Sequence, residues 1–395
     1  MVKFITLIPL FFYFNSAKAQ DTKAVAQALS DKVSILALGD PTHLEGTITT
    51  QRIELIKALH SEKHFSVIAF ESNLFEMYYG YTQFLKDGAS KHIYDGMYGI
   101  FPCQELNQLM DWVKVCNSKQ DSIMIIGVES KFTGNNTLAH LKDFLTEEIN
   151  SLDNILEDNL PLYYETLGTL IESSFYSRKI DDTEKQIIIT ETEKLLYHVE
   201  SRKSDDFKTL VLKQTLINII AEANRLHNSN SADKNNDRDF EMAKNVKFLH
   251  PLGKMVLWGS STHYLKEPKA IQTHYFQKNN RITFGKLLKR DFPEAYFFIA
   301  YSSLEGKKTN LLFNSKVKPP KQGSIEFEAM QLKTPGKASY FMSLNPLNTL
   351  HLYTGEHQLD CRMLGHSYAE MEVSEVCDAI YFIDDTQPYT KLKAD

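Results

Sequence analysis

Val33-Ser34-Ile35-Leu36-Ala37-Leu38-Gly39-Asp40-Pro41-Thr42-His43 is the stretch on which the fold turns. Its first six residues form a short apolar run that stops at Gly39-Asp40. A run of that length, bounded by turn residues, reads as a strand buried on both faces, the habit of parallel sheets. Working outward, Ile53, Ile56 and Leu59 recur at helical spacing, and Val67 to Phe70 is a second apolar run that stops at Glu71. The order then repeats, with a helix from Leu74 to Leu85, a helix from Leu106 to Val115 and the strand Ile123 to Ile126. Alternation of this kind implies an α/β layered core with a mostly parallel sheet.

From Leu138 to Leu226 the apolar residues change to steps of three and four, as in Leu141, Phe144 and Leu145 or Leu212, Leu216 and Ile219. That spacing predicts a helical insertion lobe, and Asp181 with Glu184 has the form of a capping box. Asn228 to Asn236 reads as a polar loop, with Asp237 as the cap of a helix running to Leu249. The α/β pattern then resumes with the strand Lys254 to Trp258, the helix Phe284 to Lys289 and the strand Tyr296 to Ala300. Two further apolar runs, Tyr340 to Leu344 and Ala379 to Ile383, are expected to close the sheet. The expected organisation is a leader at 1–19, a first part of the core at 20–137, a helical insertion at 138–227 and a second part of the core at 237–395.

The leader reading rests on Lys3, the apolar run Phe4 to Phe14, and Ala17-Lys18-Ala19 as a cleavage site before Gln20. It predicts export to a periplasmic or extracellular space with no stable membrane anchor, because the run is shorter than the ~20 residues that span a bilayer. The full chain of 395 residues has a formal net charge of −6; losing Lys3 and Lys18 leaves −8. That sign argues against nucleic acid or an anionic membrane surface as a partner. Cys103, Cys116, Cys361 and Cys377 form no C-x-x-C pair. The choice left open is between free buried thiols and a bridge such as Cys361 with Cys377.

Four apolar runs end at polar side chains: Asp40 and His43 after the first, Glu71 after the second, Glu129 after the third, and Ser260 to His263 after the fourth. In open α/β sheets ligands bind beyond the carboxyl ends of the strands, so parallel strands bring these groups together. Arg52 lies nine residues after His43, near the start of the following helix. A neutral imidazole takes a proton from water near neutral pH, and a carboxylate on its other nitrogen fixes the tautomer. An arginine holds a carboxylate or steadies charge on a carbonyl oxygen. There is no G-x-S-x-G elbow, which favours direct attack by water over an acyl-enzyme. The same His43, His263, Asp40 and Glu71 offer nitrogen and oxygen donors for a divalent metal, a cofactor reading without a spacing motif behind it. Tyr78, Tyr79 and Tyr81 are candidates to line the cleft near Glu71.

At these residues the chain resembles the erythromycin esterase family. The segments that carry it are Leu38-Gly39-Asp40-Pro41-Thr42-His43 with Arg52, Ile68-Ala69-Phe70-Glu71, Asp237-Arg238-Asp239-Phe240-Glu241-Met242-Ala243-Lys244-Asn245 and Leu257-Trp258-Gly259-Ser260-Ser261-Thr262-His263. The resemblance implies an α/β core with a helical lobe over a cleft, and hydrolysis of a small-molecule ester or macrolide lactone without a cofactor. By matching position it makes His43 the general base and Glu71 and Asp40 its carboxylate partners. Arg52 becomes an electrostatic support and His263 a substrate or oxyanion contact, while Ser260, Arg238 and Glu129 are candidate substrate-binding residues. Three positions depart from the family's pattern: Asp40 stands for Glu, Leu44 for Gly, and Ser260 for a histidine. Two other readings of the crevice stay open, a metal-dependent hydrolase and a binding protein that keeps the fold without turnover.

Overall fold

The computed structural model describes residues 22–150, 160–201, 204, 206–278, 280–309, 312–333, 335–345, 353–355 and 358–392. The expected leader therefore lies outside the described residues. The strands are β1 (Ile35–Asp40), β2 (Phe65–Asn73), β3 (Met124–Glu129), β4 (Lys254–Ser260), β5 (Tyr296–Thr309), β6 (Asn314–Lys316), β7 (Ser339–Ser343), β8 (Gln358–Cys361), β9 (Ala369–Glu372) and β10 (Ala379–Thr386). One sheet runs β3-β2-β4-β1-β5-β10-β7, with β6 attached to the far end of β5. From β3 to β10 every neighbour is parallel, whereas β7 and β6 pair antiparallel. β8 and β9 make a separate hairpin.

The apolar runs are continuous because both sheet faces are covered, and alternate residues divide between two cores. Ile35, Ala37, Val67, Ala69, Met255 and Leu257 point into one; Leu36, Leu38, Ile68, Phe70, Val256 and Trp258 point into the other. This is the period-two alternation of a pleated strand with no solvent face to require polar residues. The second core is closed by helices α1 (Gly46–Lys63), α2 (Leu74–Asp87) and α3 (Asn107–Ser118), through residues such as Ile56, Met77 and Val113.

Four helices, α4 (Lys142–Asn150), α5 (Leu160–Tyr176), α6 (Asp182–Ser201) and α7 (Phe207–His227), bury their stripes on one another, with Phe144, Leu167, Leu195 and Leu216 among the shared residues. The capping box at α6 forms as expected: Asp181 N–H donates to Glu184 Oε2 at 2.8 Å, and Glu184 N–H donates to Asp181 Oδ1 at 2.8 Å. Next comes α8 (Ser231–Leu249), which starts earlier than its polar sequence predicts. Asn230, not Asp237, is its cap, accepting from Ala232 N–H at 2.9 Å. A first helical turn that faces water needs no apolar residue, so periodicity does not reveal it. α8 lies on the first core together with α10 (Phe284–Asp291) and α11 (Ile325–Leu332), while α9 (Ser261–Tyr264) is a single turn directly after β4.

Of the two cysteine readings left open, the free one holds: all four cysteines are free and buried, Cys361 and Cys377 included. One sequence expectation is corrected. Tyr78 and Tyr81 do not reach the Glu71 end of the sheet; with Ser66, Val67 and Met124 they line a cavity of about 500 Å³ at the amino ends of β2 and β3. The reason is the direction of α2, which folds back along β2 and carries each residue ~1.5 Å further from the strand end. Tyr79 instead stacks on His140 at 4.2 Å. Among the described residues, no helix is long and apolar enough to cross a membrane.

Candidate active site

Register decides which strand ends meet. Asp40 sits beside Ser260 across β1 and β4, and Asn73 sits beside Glu129 across β2 and β3, after a bulge that follows Phe70. The bulge is where Glu71 leaves the regular ladder, a common way of re-aiming a side chain next to a site. Gly259, one residue before the end of β4, has no room for a side chain: a Cβ there would lie 2.6 Å from Glu71 Oε2 and 2.7 Å from the Tyr264 hydroxyl.

His43 occupies a turn with φ 67°, in the left-handed region that a bulky residue enters only when its surroundings impose it. The surroundings are explicit. His43 N–H donates to Asp40 Oδ1 at 3.1 Å, Thr42 Oγ1 donates to Glu45 Oε1 at 2.6 Å, and His366 Nε2 lies 2.5 Å from the same Glu45 oxygen. The His43 ring packs edge-on to Phe101. Its Nδ1 is 2.8 Å from Asp40 Oδ1, an ion-pair distance, although the N–H direction is off the line of a good hydrogen bond. Nε2 is left as the ring nitrogen with no partner among the described residues. Burial opposes a charge on His43, but the Asp40 and Glu71 carboxylates outweigh it and raise the imidazole above its ordinary value.

Asp40 is itself held by Arg52, whose Nη1 donates to Asp40 Oδ2 at 2.7 Å while Nη2 donates to the carbonyls of Leu38 and Gly259 at 2.7 and 3.0 Å. Arg52 is 0 % exposed and lies over the Trp258 ring. It holds the carboxylate and is not among the residues that line the cavity described below.

Around Glu71 a second set of charges closes. Arg238, from α8, donates to Glu71 Oε1 at 2.8 Å and to Glu129 Oε2, and its Nη1 lies 3.2 Å from His263 Nε2. Glu71 Oε2 also accepts from Ser260 N–H at 2.8 Å. His263 Nδ1 is 2.5 Å from Asp239 Oδ1, and Asp239 Oδ2 accepts from Arg281 Nη2 at 2.5 Å and from Phe284 N–H at 3.1 Å. With Nδ1–H given to Asp239, His263 Nε2 either accepts from Arg238 or carries a proton toward Glu71 Oε1 at 3.3 Å. Two carboxylates against one guanidinium settle the choice: burial works against the charge, Asp239 and Glu71 override it, and His263 is pushed up to about 9. It stands as an imidazolium at neutral pH. Glu71 is held well below the carboxylate range, since His263 and Arg238 overcome the cost of its burial.

α8 is fixed so that Arg238 and Asp239 face the strand ends. Asn245, two turns on, donates to the Val128 carbonyl at 2.8 Å and accepts from Gln214 at 2.7 Å. The resulting cavity, about 350 Å³, is lined by His43, Glu71, Lys131, Arg238, Ser260 and His263 among others. It is smaller than the cavity at the opposite end of the strands, but the titratable groups converge here, and we place the site here. Asp40, Arg52 and Glu129 stand behind this wall; Glu129 holds Arg238. Neither Asp239 nor Arg281 stands out in the sequence as a site residue. Asp239 belongs to a segment quoted for the resemblance, whereas Arg281 carries no signal at all.

Comparison with known proteins bears on this arrangement. The erythromycin esterase family model matches residues 60–386. The chain belongs to the erythromycin esterase family. The match contains Glu71, Glu129, Arg238, Ser260 and His263, whereas Asp40, His43 and Arg52 precede its start. The chain is similar to "Putative hydrolase YbfO" of Bacillus subtilis (strain 168), 22% identical over 417 residues, covering 96% of this chain and 89% of that one. In fold it is similar to a succinoglycan biosynthesis protein, at TM-score 0.75 and 17% identity over 94% of this chain and 92% of that one. It is also similar to a mutant of the erythromycin esterase EreC in its open conformation, at TM-score 0.60 and 15% identity over 92% of this chain and 93% of that one.

Within the family's framework, the three departures read from sequence have structural counterparts. The shorter Asp40 still reaches both His43 and Arg52. Leu44 is buried and is not in the left-handed region; His43 takes that conformation instead. The Ser260 hydroxyl caps α9, accepting from Thr262 N–H at 3.2 Å. Of the four donors considered for a metal, Asp40 is held by Arg52 and Glu71 by Arg238, His263 gives Nδ1 to Asp239, and His43 faces Asp40. Among the described residues the side chains grouped closely enough to share an ion are His60, Cys116 and Asp121, away from this cavity.

The charge state of His263 has a pH signature in this erythromycin esterase family site. In the unfolded chain the imidazole titrates near ~6.5, and in the folded protein near about 9. Its stabilisation is complete below the first value and lost as pH rises through the second. Glu71 and Asp40, whose values are depressed, act in the opposite sense and contribute only above ~4. The urea midpoint is expected to fall as pH is raised from ~6.5 to ~9.5, with a shallower fall in His263→Gln. An identical slope in the variant rules this out.

Proposed function

We propose that this chain is a hydrolase in which His43 activates water against the carbonyl of a carboxylic ester or lactone. The family and the relative described as a hydrolase support hydrolysis in general, and the site supports this form of it. The observation that carries the reading is the environment of His43. One ring nitrogen sits against a carboxylate anchored by Arg52, the other has no partner among the described residues, and the ring shares a cavity with Lys131, Arg238 and His263.

In this mechanism water bound at His43 Nε2 gives up a proton as its oxygen attacks the carbonyl carbon, and Asp40 steadies the imidazolium that forms. The carbonyl oxygen takes on negative charge, which Arg238 and the His263 imidazolium stabilise. Collapse of the tetrahedral species breaks the bond to the alkoxyl oxygen, which receives the proton from His43, leaving a carboxylic acid and an alcohol. Arg52, Asp239 and Arg281 keep the partners of the two histidines in place. The proposal includes export through the expected leader, and a small-molecule ester as substrate. A macrolide lactone is the substrate suggested by the name of EreC; Ser260 supplies no imidazole at the position where the family's pattern has one.

The test is incubation with a panel of aryl and alkyl esters and a macrolide mixture, with products read by mass spectrometry, with and without chelator. At least one compound is expected to yield products that together contain one added water, equally in both arms. No turnover across the panel sinks the reading, and loss of turnover with chelator replaces it with a metal-dependent one.

A further inference from the structure

Lys131 lies two residues after Glu129, just beyond the end of β3. Its backbone N–H donates to Glu129 Oε1 at 3.2 Å, which pins the residue where the cavity begins, and its side chain is half-buried in the cavity wall beside Arg238. The carboxylates of the site are each held by at least one cation. Glu71 and Glu129 are held by Arg238, Asp40 by Arg52, and Asp239 by His263 and Arg281. The nearby Glu222 is held by Arg225. Among the described residues the Lys131 ammonium has no hydrogen-bond or ion-pair partner. Burial disfavours its charge and Arg238 adds to this, so its proton is held less tightly than usual despite the carboxylates of Glu129 and Glu222. Thr133, on the same wall, is 6% exposed, and its hydroxyl is buried without a partner.

A half-buried cation next to another cation, with an unpartnered hydroxyl on the same cavity wall, is unfavourable by itself and favourable around anionic oxygens. We propose that Lys131 and Thr133 form an anion subsite, and that the substrate of the hydrolytic site is an ester bearing a carboxylate or phosphate group. The inference rests on the hydrolase reading for its substrate but not for the binding site itself. A cationic substrate would meet Lys131, Arg238 and the His263 imidazolium together and be repelled.

Two measurements separate the subsite from the reaction. The first compares kcat/KM for an aryl valerate and the corresponding aryl hemiglutarate, which share a leaving group and an acyl chain of equal length and differ in a terminal methyl or carboxylate. The wild type is expected to favour the hemiglutarate by about tenfold or more, as a charge-assisted hydrogen bond provides. Lys131→Met is expected to lose that preference mainly through KM, and Lys131→Arg to keep most of it. The second is calorimetric titration with glutarate and with inorganic phosphate, which needs no turnover. Binding of either anion that disappears in Lys131→Met supports the subsite even if no ester is cleaved, and the anion that binds names the class. An ester preference unchanged in Lys131→Met, or absence of Lys131-dependent binding of both anions, overturns it.

Discussion

His43→Ala is expected to lower kcat by about 10²–10⁴-fold, the usual contribution of a positioned general base, while the folded state remains intact. Among the described residues the side chain removed carries one ion pair, to Asp40, and one ring contact, to Phe101. Asp40 keeps Arg52 and is not left as an unpaired buried charge. Stability and catalysis should therefore separate, with a urea midpoint near that of the wild type and a rate close to background. The wild-type pH profile supplies the control. Because Asp40 and Glu71 raise His43 against the effect of burial, the acid limb of kcat/KM should lie above the ~6.5 of a free imidazole, and activity should rise with pH as Nε2 loses its proton. Asp40→Asn should move that limb downward, since the amide cannot favour the imidazolium. Wild-type turnover in His43→Ala would remove the proposed mechanism outright.

Asp239→Ala should be the most destabilising single change at the site, at about 3–5 kcal/mol. Asp239 is fully buried and holds three groups at once: His263 Nδ1, Arg281 Nη2 and Phe284 N–H. Truncation leaves the Arg281 guanidinium buried without its carboxylate, and also orphans a backbone donor at the start of α10. Such a loss is a large part of the ~5–15 kcal/mol that a folded domain has in total. The His263 imidazole should fall from about 9 as the larger of its two carboxylate influences disappears. Asp239→Asn, which keeps acceptor geometry without charge, should show the same fall in His263 titration with a smaller loss of stability. Urea unfolding and NMR titration of the histidines measure the two effects separately. An alanine variant as stable as the wild type would show that this network is not what holds α8 against the sheet end.

Much of this arrangement is legible in the chain, because it follows from local chemistry. Continuous apolar runs ending at Asp40, Glu71, Glu129 and Ser260 mean strands covered on both faces, and strands covered on both faces are commonly parallel. Parallel strands put their ends, and the polar residues on them, along one edge. The capping box at Asp181 and Glu184 is legible for the same reason, since both partners lie within one turn. Where the local signal is silent or points elsewhere, the reading fails: at the solvent-facing first turn of α8, where Asn230 is the cap, and at Tyr78 and Tyr81, whose place depends on the direction of α2.

Residue order alone thus determines that an imidazole and several carboxylates collect at one edge of the sheet. It does not determine what state of charge they adopt there. Asp239 and Arg281 are 42 positions apart, yet their meeting behind His263 makes that histidine a cation while His43, beside a differently paired carboxylate, is left to act as a base. Proton affinity depends on the charges within a few ångströms in a medium that screens them poorly, and only the folded chain brings those charges together.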